Sequence, residues 1–413
     1  MLAIERATAQ ELPLFAAPAS GGTRMQEGTV AFMQMVKIAV AVTAHKAAGL
    51  PYVVYLRHPT TGGVFASWGS LGHVTAAEPG ALVGFLGPRV YEALYGEQFP
   101  PDVQTAENLA RHGLVDAVVS AETLRSVAID SLTVLAAHRD TPPVVPELPR
   151  EPLADTPAWE SIQRSRRADR PGLRALLKVA ANTVTPLQGT GQGEHDPGLL
   201  LALARFGQAP CVVLGQDRRY ADRPMGPAGL REARRGMRLA AELHLPLVTV
   251  IDTAGAALSK EAEEGGLAGE IARCLAELAT LRAPTLCLLL GEGAGGGALA
   301  LLPADRVLCA QHAWLSPLPP EGASAIRFHT TDRAAEMAEA QCVRSLDLLR
   351  HGIVDRIIAE HPDAADEPTD FLHRVGAVLG YELALLFGRS PEALLGARSD
   401  RYRQLGKATS SNK

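Results

Sequence analysis

Cysteine is scarce in this sequence and confined to its second half. The five residues, Cys211, Cys274, Cys287, Cys309 and Cys342, are odd in number and show no Cys-x-x-Cys spacing, which argues against both a zinc ribbon and a disulfide framework. No metal site is expected, and the plain reading is buried, reduced thiols. Charge of one sign is also lacking: 40 Lys and Arg against 45 Asp and Glu give a net charge of -5, scattered rather than clustered, so nothing suggests a nucleic-acid partner. No window reaches the ~18 uninterrupted apolar residues of a membrane span, and Glu5, Arg6 and Glu11 interrupt the start before a signal sequence could form. No membrane association and a cytoplasmic location are expected by elimination. What remains is the composition of a folded, soluble protein, 413 residues long, 47% hydrophobic and 21% charged, long enough for two or three domains.

Laid against itself, the sequence repeats. Arg111-His112-Gly113-Leu114-Val115-Asp116 recurs as Arg350-His351-Gly352-Ile353-Val354-Asp355, 239 positions on. Leu12-Pro13-Leu14 recurs as Leu245-Pro246-Leu247, and Thr61-Gly62-Gly63-Val64 aligns with Gly295-Gly296-Gly297-Ala298, at offsets of 233 and 234. Three anchors in one order imply two copies of one fold. Tyr52–Leu56, Cys211–Leu214, Leu247–Asp252 and Thr285–Leu290 read as strands, while Val30–Ala48 and Gly266–Leu281 read as helices. The expectation is a pair of spiral α/β domains, residues 1–137 and 158–400, with a polar tail at 401–413. Six prolines between Pro142 and Pro157 exclude a helix or central strand there, which makes 138–157 a linker. Pro246 stands 88 residues beyond Ala158, but Pro13 only 12 beyond Met1, so the first copy is about 76 residues short. It is expected to be incomplete at its N-terminus, with translation beginning upstream.

At matching places in the two copies a strand runs into paired glycines that open a helix. Such a helix start presents backbone N–H groups without partners and a positive dipole end, and glycine lets a carbonyl approach them. Donors of this kind, aimed at developing oxyanion charge, contribute about 2.7–4 kcal/mol each. The same glycines would also serve tight turns or close packing of helix on sheet. No Gly-x-Ser-x-Gly, P-loop or other ATP-binding motif competes, and the Gly-x-Gly-x-x-Gly pattern at 291–296 lacks the acidic residue of a dinucleotide site. The basic stretches Arg218-Arg219 and Arg231 to Arg235 fit either a solvated face or contacts to an anionic substrate. His112 and His351 stand where helices end, each followed by glycine.

Gly21-Gly22-Thr23-Arg24-Met25-Gln26-Glu27-Gly28, then His58-Pro59-Thr60-Thr61-Gly62-Gly63-Val64, Ala77-Glu78-Pro79 and Gly84-Phe85-Leu86-Gly87-Pro88-Arg89-Val90, resemble the carboxyltransferase beta subunit of bacterial acetyl-CoA carboxylase. The second copy resembles the alpha subunit, through Ala158-Trp159-Glu160, Arg170-Pro171, Ile251-Asp252-Thr253-Ala254-Gly255-Ala256, Gly291 to Ala300, and Pro320-Glu321-Gly322-Ala323-Ser324. The whole is similar to the beta-alpha fusions of actinobacteria.

The resemblance implies two crotonase-like (ClpP/crotonase superfamily) spiral ββα domains and carboxyl transfer from carboxybiotin to acetyl-CoA or a related acyl-CoA. By position, Gly62 and Gly63 would hold the thioester oxyanion and Gly296 and Gly297 the biotin ureido oxygen. Gly21, Gly22, Arg24, Thr61 and Arg89 would lie on the acyl-CoA side, and Thr253, Gly255, Gly293 and Gly295 on the carboxybiotin side. No cofactor would be bound covalently, since Met33-Gln34-Met35-Val36-Lys37 is not a biotinylated Ala-Met-Lys-Met hairpin. Biotin carboxylase and a biotinyl carrier, or a fused biotinylated subunit, would be other chains, and a homo-oligomer is implied. The alpha subunit's Asp-Thr-Pro-Gly-Ala-Tyr-Pro-Gly is here Asp252-Thr253-Ala254-Gly255-Ala256-Ala257-Leu258-Ser259, a less rigid loop without the aromatic. A biotin-independent decarboxylase of malonyl-type thioesters, or a catalytically silent subunit, is the alternative.

Overall fold

The run Tyr52–Leu56 is buried at all five positions, and so are the eight residues of Ala209–Gln216. Continuous apolar strands of this kind belong to parallel sheets covered on both faces, and two such sheets organise the chain. The structure is a computed structural model that describes residues 1–22, 26, 28–86, 88–137 and 147–405. The chain forms two compact units. The first comprises Met1–Ala137, Thr185–His195 and Glu242–His244, and the second contains the other described residues.

In the first unit, β1 (Leu14–Ala16), β2 (Tyr52–Leu56), β4 (Val74–Ala77) and β6 (Ala117–Val118) form one sheet in that order, every pair parallel. Registers such as Leu14 with Tyr52 and Val53 with Val74 place the strand ends side by side. A small second sheet pairs β3 (Thr60–Thr61) with β5 (Val83–Gly84). Val42, Tyr52, Val54, Leu56, Ala77 and Val83 fill the core.

The larger sheet comprises β7 (Thr183–Leu187), β8 (Leu199–Phe206), β9 (Ala209–Gln216), β10 (Leu247–Thr253), β11 (Thr285–Gly293), β12 (Arg306–Ala310) and β13 (Arg356–Ile358), ordered β13-β12-β11-β10-β9-β8-β7, and its strands β8 to β13 lie in the second unit. Strands β9 to β13 are parallel, and β8 meets β9 antiparallel as a hairpin. Each sheet thus contains four parallel strands paired in chain order, β1-β2-β4-β6 in one and β10-β11-β12-β13 in the other.

Two boundaries differ from the sequence reading. The stretch read as one helix over Val30–Ala48 is two, Gly28–Phe32 and Gln34–Ala47, with a turn at Met33 across which the Lys37 N–H reaches Met33 O at only 3.5 Å. By length and composition Gly28–Ala47 would suffice to cross a membrane, and Ala41, Val42 and His45 of it are buried in the unit. The polar tail expected from 401 begins later, because the helix Pro391–Gln404 continues through that point. Arg401 pairs with Asp355 at 2.8 Å, and the Tyr402 hydroxyl accepts from the Ala304 N–H at 2.8 Å, which holds the last turn down. Residues 406–413 of the tail and 138–146 of the linker lie outside the described residues. Residues 147–157 carry no helix or strand. Four cysteines are buried as expected, whereas Cys342 is exposed.

Candidate functional site

In the second unit the site grows from the ends of β10 and β11. Their pairing shifts register between Ile251 and Thr253, so that Thr253 faces Gly293, an irregularity of the kind that re-aims a strand end. Beyond it the Ala294 N–H donates to Thr253 O at 3.0 Å, and the chain turns into the helix Gly295–Leu299. Gly295, at φ +64°, spends its N–H on Ser316 O at 2.9 Å. Gly296 and Gly297 lie in the first helical turn, where an N–H has no acceptor one turn back.

The loop after β10 faces these donors. The Thr253 hydroxyl accepts from the Gly255 N–H at 3.1 Å and donates to Gly255 O at 2.8 Å, closing the turn on itself. The Gly297 backbone packs directly on that turn: a Cβ there would stand 3.1 Å from the Ala256 nitrogen and 3.3 Å from the Gly255 carbonyl carbon. Among the described residues no acceptor takes the Ala256 N–H. Two segments that carry uncommitted N–H groups, the helix start at Gly296–Gly297 and the turn at Ala256, are therefore in direct contact, and a side chain at residue 297 would press on that contact. Gly293 keeps the strand against Trp314, whose carbonyl a Cβ would meet at 2.6 Å.

A small cleft of about 60 Å3 opens alongside, lined by Asp252, Thr253, Gly255 and Glu292 with Arg218 and Arg223. Burial pushes the Asp252 carboxyl up from its ordinary value, against the pull of Arg218 and Arg170. Arg218 holds it at 3.0 Å and also donates to Ser165 O and Arg167 O. The basic stretches are largely engaged in this way: Arg219 pairs with Asp217, and Arg231 and Arg234 with Glu270. These pairings favour the structural reading of the arginines over direct contacts to an anionic substrate.

The first unit has a comparable turn. After β2 the cis His58–Pro59 bond leads into β3, where Thr60 donates from its hydroxyl to Arg57 O and the Thr61 N–H reaches Ser20 O at 2.9 Å. Gly62 follows at φ +62°, a left-handed conformation that costs glycine least. Its N–H is committed to Gly84 O and Phe85 O, at 3.0 and 3.1 Å, so Gly63 is the member of the pair whose N–H meets no acceptor among the described residues. A Cβ on Gly62 would stand 3.4 Å from Gly22 Cα, and one on Gly63 would overlap the Met35 thioether. Gly22 in turn donates to the Ser20 hydroxyl. Gly21, Gly22, Thr61, Gly62 and Gly63 thus belong to one loop cluster. Arg24 and the Arg89 side chain lie outside the described residues.

Sequence reasoning singled out the glycines in each turn. It missed Ala256 as a donor and Ser316 and Met35 as the groups that shape the turns. No local pattern marks these residues, because each is brought in from a different element.

Residues 145–406 match the family described as acetyl co-enzyme A carboxylase carboxyltransferase-like. A probable biotin-dependent acyl-coenzyme A carboxylase beta3 subunit of Mycobacterium bovis is 61% identical over 406 residues, 98% of this chain and 81% of that one. The acetyl-coenzyme A carboxylase carboxyl transferase subunits beta/alpha of Salinispora tropica are 39% identical, over 98% of this chain and 75% of theirs. Among solved structures, the transcarboxylase 12S hexamer with methylmalonyl-coenzyme A and methylmalonic acid bound superimposes with a TM-score of 0.73 at 19% identity, covering 94% of this chain and 75% of that one. The fold is therefore that of the crotonase-like transcarboxylases. With two glycine-lined turns of matching design and relatives alike over nearly all of its length, this chain belongs to the acetyl-coenzyme A carboxylase carboxyltransferase family.

Proposed function

We infer that the chain is an enzyme, a carboxyltransferase that moves a carboxyl group from carboxybiotin to an acyl-coenzyme A. The observation that supports the reading at residue level is the packing of Gly297 on the Gly255–Ala256 turn, which brings two segments with uncommitted N–H groups into contact. In the reaction the bond from biotin N1 to the carboxyl carbon breaks and CO2 leaves. The thioester α-proton passes to biotin N1 or a nearby base, and the enolate carbon bonds to CO2. Both partners develop charge on a carbonyl oxygen, and each needs preorganised donors for it. The Gly296, Gly297 and Ala256 amides serve the ureido oxygen, with Thr253, Gly255, Gly293 and Gly295 fixing the turn. The Gly63 amide serves the thioester oxygen, supported by Gly62, Thr61, Gly21 and Gly22, with Arg24 and Arg89 on the coenzyme A side.

The finer architecture we propose is two crotonase-like ββα spirals, 1–137 and 158–400. Its support is the four parallel strands paired in chain order in each sheet. The acyl group is acetyl or a close relative, giving a malonyl-type product. Biotin arrives on a separate carrier charged by a separate carboxylase, the chain works as a homo-oligomer, and the setting is cytoplasmic.

The test is the reverse reaction: the protein is incubated with malonyl-CoA or methylmalonyl-CoA, with and without free biotin, and thioester decarboxylation is followed by mass. Biotin-dependent turnover is expected. Turnover indifferent to biotin would replace this reading with a simple decarboxylase, and none at all would leave a silent subunit.

A further inference from the structure

The donors at the carboxybiotin side come from two separate segments, and a single buried side chain binds both. Gln216, the last residue of β9, is 4% exposed. Its Oε1 accepts from the Asp252 N–H at 3.1 Å, and its Nε2 donates to Gly297 O at 3.3 Å. The first contact holds the end of β10, just before the Thr253–Ala256 turn. The second holds the helix start that packs on that turn. Backbone pairing between β9 and β10 ends at Gly215 with Val250, so the Gln216 side chain continues the connection where the ladder stops.

The residue type follows from the geometry. The partners are one N–H and one C=O, and a carboxamide is the neutral side-chain group that presents an acceptor and a donor at the same end. The partners also fix which end of the amide is which, since Asp252 N–H can only donate and Gly297 O only accept. Three further contacts hold the same region through the backbone or at Asp252. Glu292 N–H donates to Asp252 Oδ1 at 3.2 Å, Arg218 holds Asp252 Oδ2, and Ala294 N–H holds Thr253 O. The last of these ties the turn to the helix's N-cap residue, and Gln216 is the side chain among them that reaches further in, to Gly297.

We propose that Gln216 is a positioning residue for carboxyl transfer, holding the Thr253–Ala256 turn and the Gly296–Gly297 helix start at the spacing their converging amides require. This rests on the function inferred above. Its effect in this proposal passes through the backbone it fixes. Displacement of an oxyanion donor by about an ångström lowers turnover on the order of 100-fold, which makes the loss visible in rate before it is visible in stability.

The experiment compares wild type with Gln216→Met, which keeps length and volume but removes both hydrogen bonds, and Gln216→Glu, which keeps the acceptor toward Asp252 and loses the donor toward Gly297. Biotin-dependent decarboxylation of malonyl-CoA is measured together with the melting temperature. The expected result is a fall in kcat of about 10–100-fold in both variants, with the KM for malonyl-CoA within about twofold of wild type. If Gln216→Met fails to fold, Gln216→Glu decides alone. An active wild type matched by either folded variant would overturn the positioning role and leave the function standing. A fall in activity carried wholly by a raised KM for malonyl-CoA would overturn it too. A wild-type chain without biotin-dependent turnover would overturn the function and this inference together.

Discussion

Arg170 and Glu360 form a wholly buried, two-point ion pair, with Nη1 to Oε2 and Nη2 to Oε1 both at 2.7 Å. Arg170 also donates to Leu290 O in β11, and the Glu360 oxygens accept from the His312 and Ala364 N–H groups. The pair therefore ties the middle of the second sheet to the segment after β13. Removing one partner of such a pair strands the other charge in the interior, at a cost of about 3–5 kcal/mol. Glu360→Gln is expected to lower unfolding free energy by that amount in urea titration. Replacing both residues with Met should recover most of it, since what destabilises is the unpaired charge.

The same pair sets a pH dependence. Burial by itself would raise the Glu360 carboxyl, but the Arg170 guanidinium and the hydrogen bonds outweigh it and hold the group below its ordinary value near 4.5. A depressed acid contributes stability that is present above the unfolded value and disappears as pH falls through the folded one. Thermal melts of wild type should therefore drop below about pH 4.5, and the corresponding curve for Glu360→Gln should be flatter there. Parallel curves would show that other carboxylates control the acid limb.

Gly297→Val should abolish transfer with little change in fold. Its Cβ would lie 3.1 Å from the Ala256 nitrogen, and the branched methyls would push the Gly255–Ala256 turn away from the helix start. A drop in kcat of at least about 100-fold is expected, comparable to losing an oxyanion donor, with the far-UV circular dichroism unchanged. Activity within tenfold of wild type would place the reacting oxygen elsewhere.

Gly63 separates packing from chemistry in the first unit. A Cβ there overlaps the Met35 thioether, so Gly63→Ala is expected to lower stability by about 1–3 kcal/mol through overpacking. Adding Met35→Ala should relieve the clash, and a double-mutant cycle on unfolding should show that coupling. Turnover should stay low in the double variant, because the new methyl remains beside the Gly63 amide. Recovery of both stability and activity would reduce Gly63 to a packing role.

Thr253 offers a test of the turn itself. Thr253→Val removes the hydroxyl that both accepts from and donates to Gly255, releasing a loop that lacks the rigidity of proline at Ala254. A fall in kcat of about tenfold is expected for Val and near-wild-type activity for Ser, which keeps the hydroxyl. Equal activity in the two variants would mean that the turn is held by its other contacts.

Apolar runs were enough to place the strands Tyr52–Leu56 and Leu247–Asp252, the internal repeat marked the glycine turns after β2 and β11, and the resemblance of the motifs around them identified the family. Each is encoded within a few consecutive residues: apolar runs buried on both faces become parallel strands, and paired glycines mark where backbone must come close to something else. The helix break at Met33, the continuation of the last helix to Gln404 and the commitment of the Gly62 N–H to Gly84 and Phe85 were not legible, because each depends on a partner supplied by the fold. Tertiary structure alone decided that Gln216 reaches both Asp252 and Gly297, 36 and 81 positions away, and that Arg170 meets Glu360 across 190. A hydrogen bond selects a donor and an acceptor by distance and angle in space, and until the strand order is set no property of Gln216 in the sequence says which backbone groups will lie within its reach.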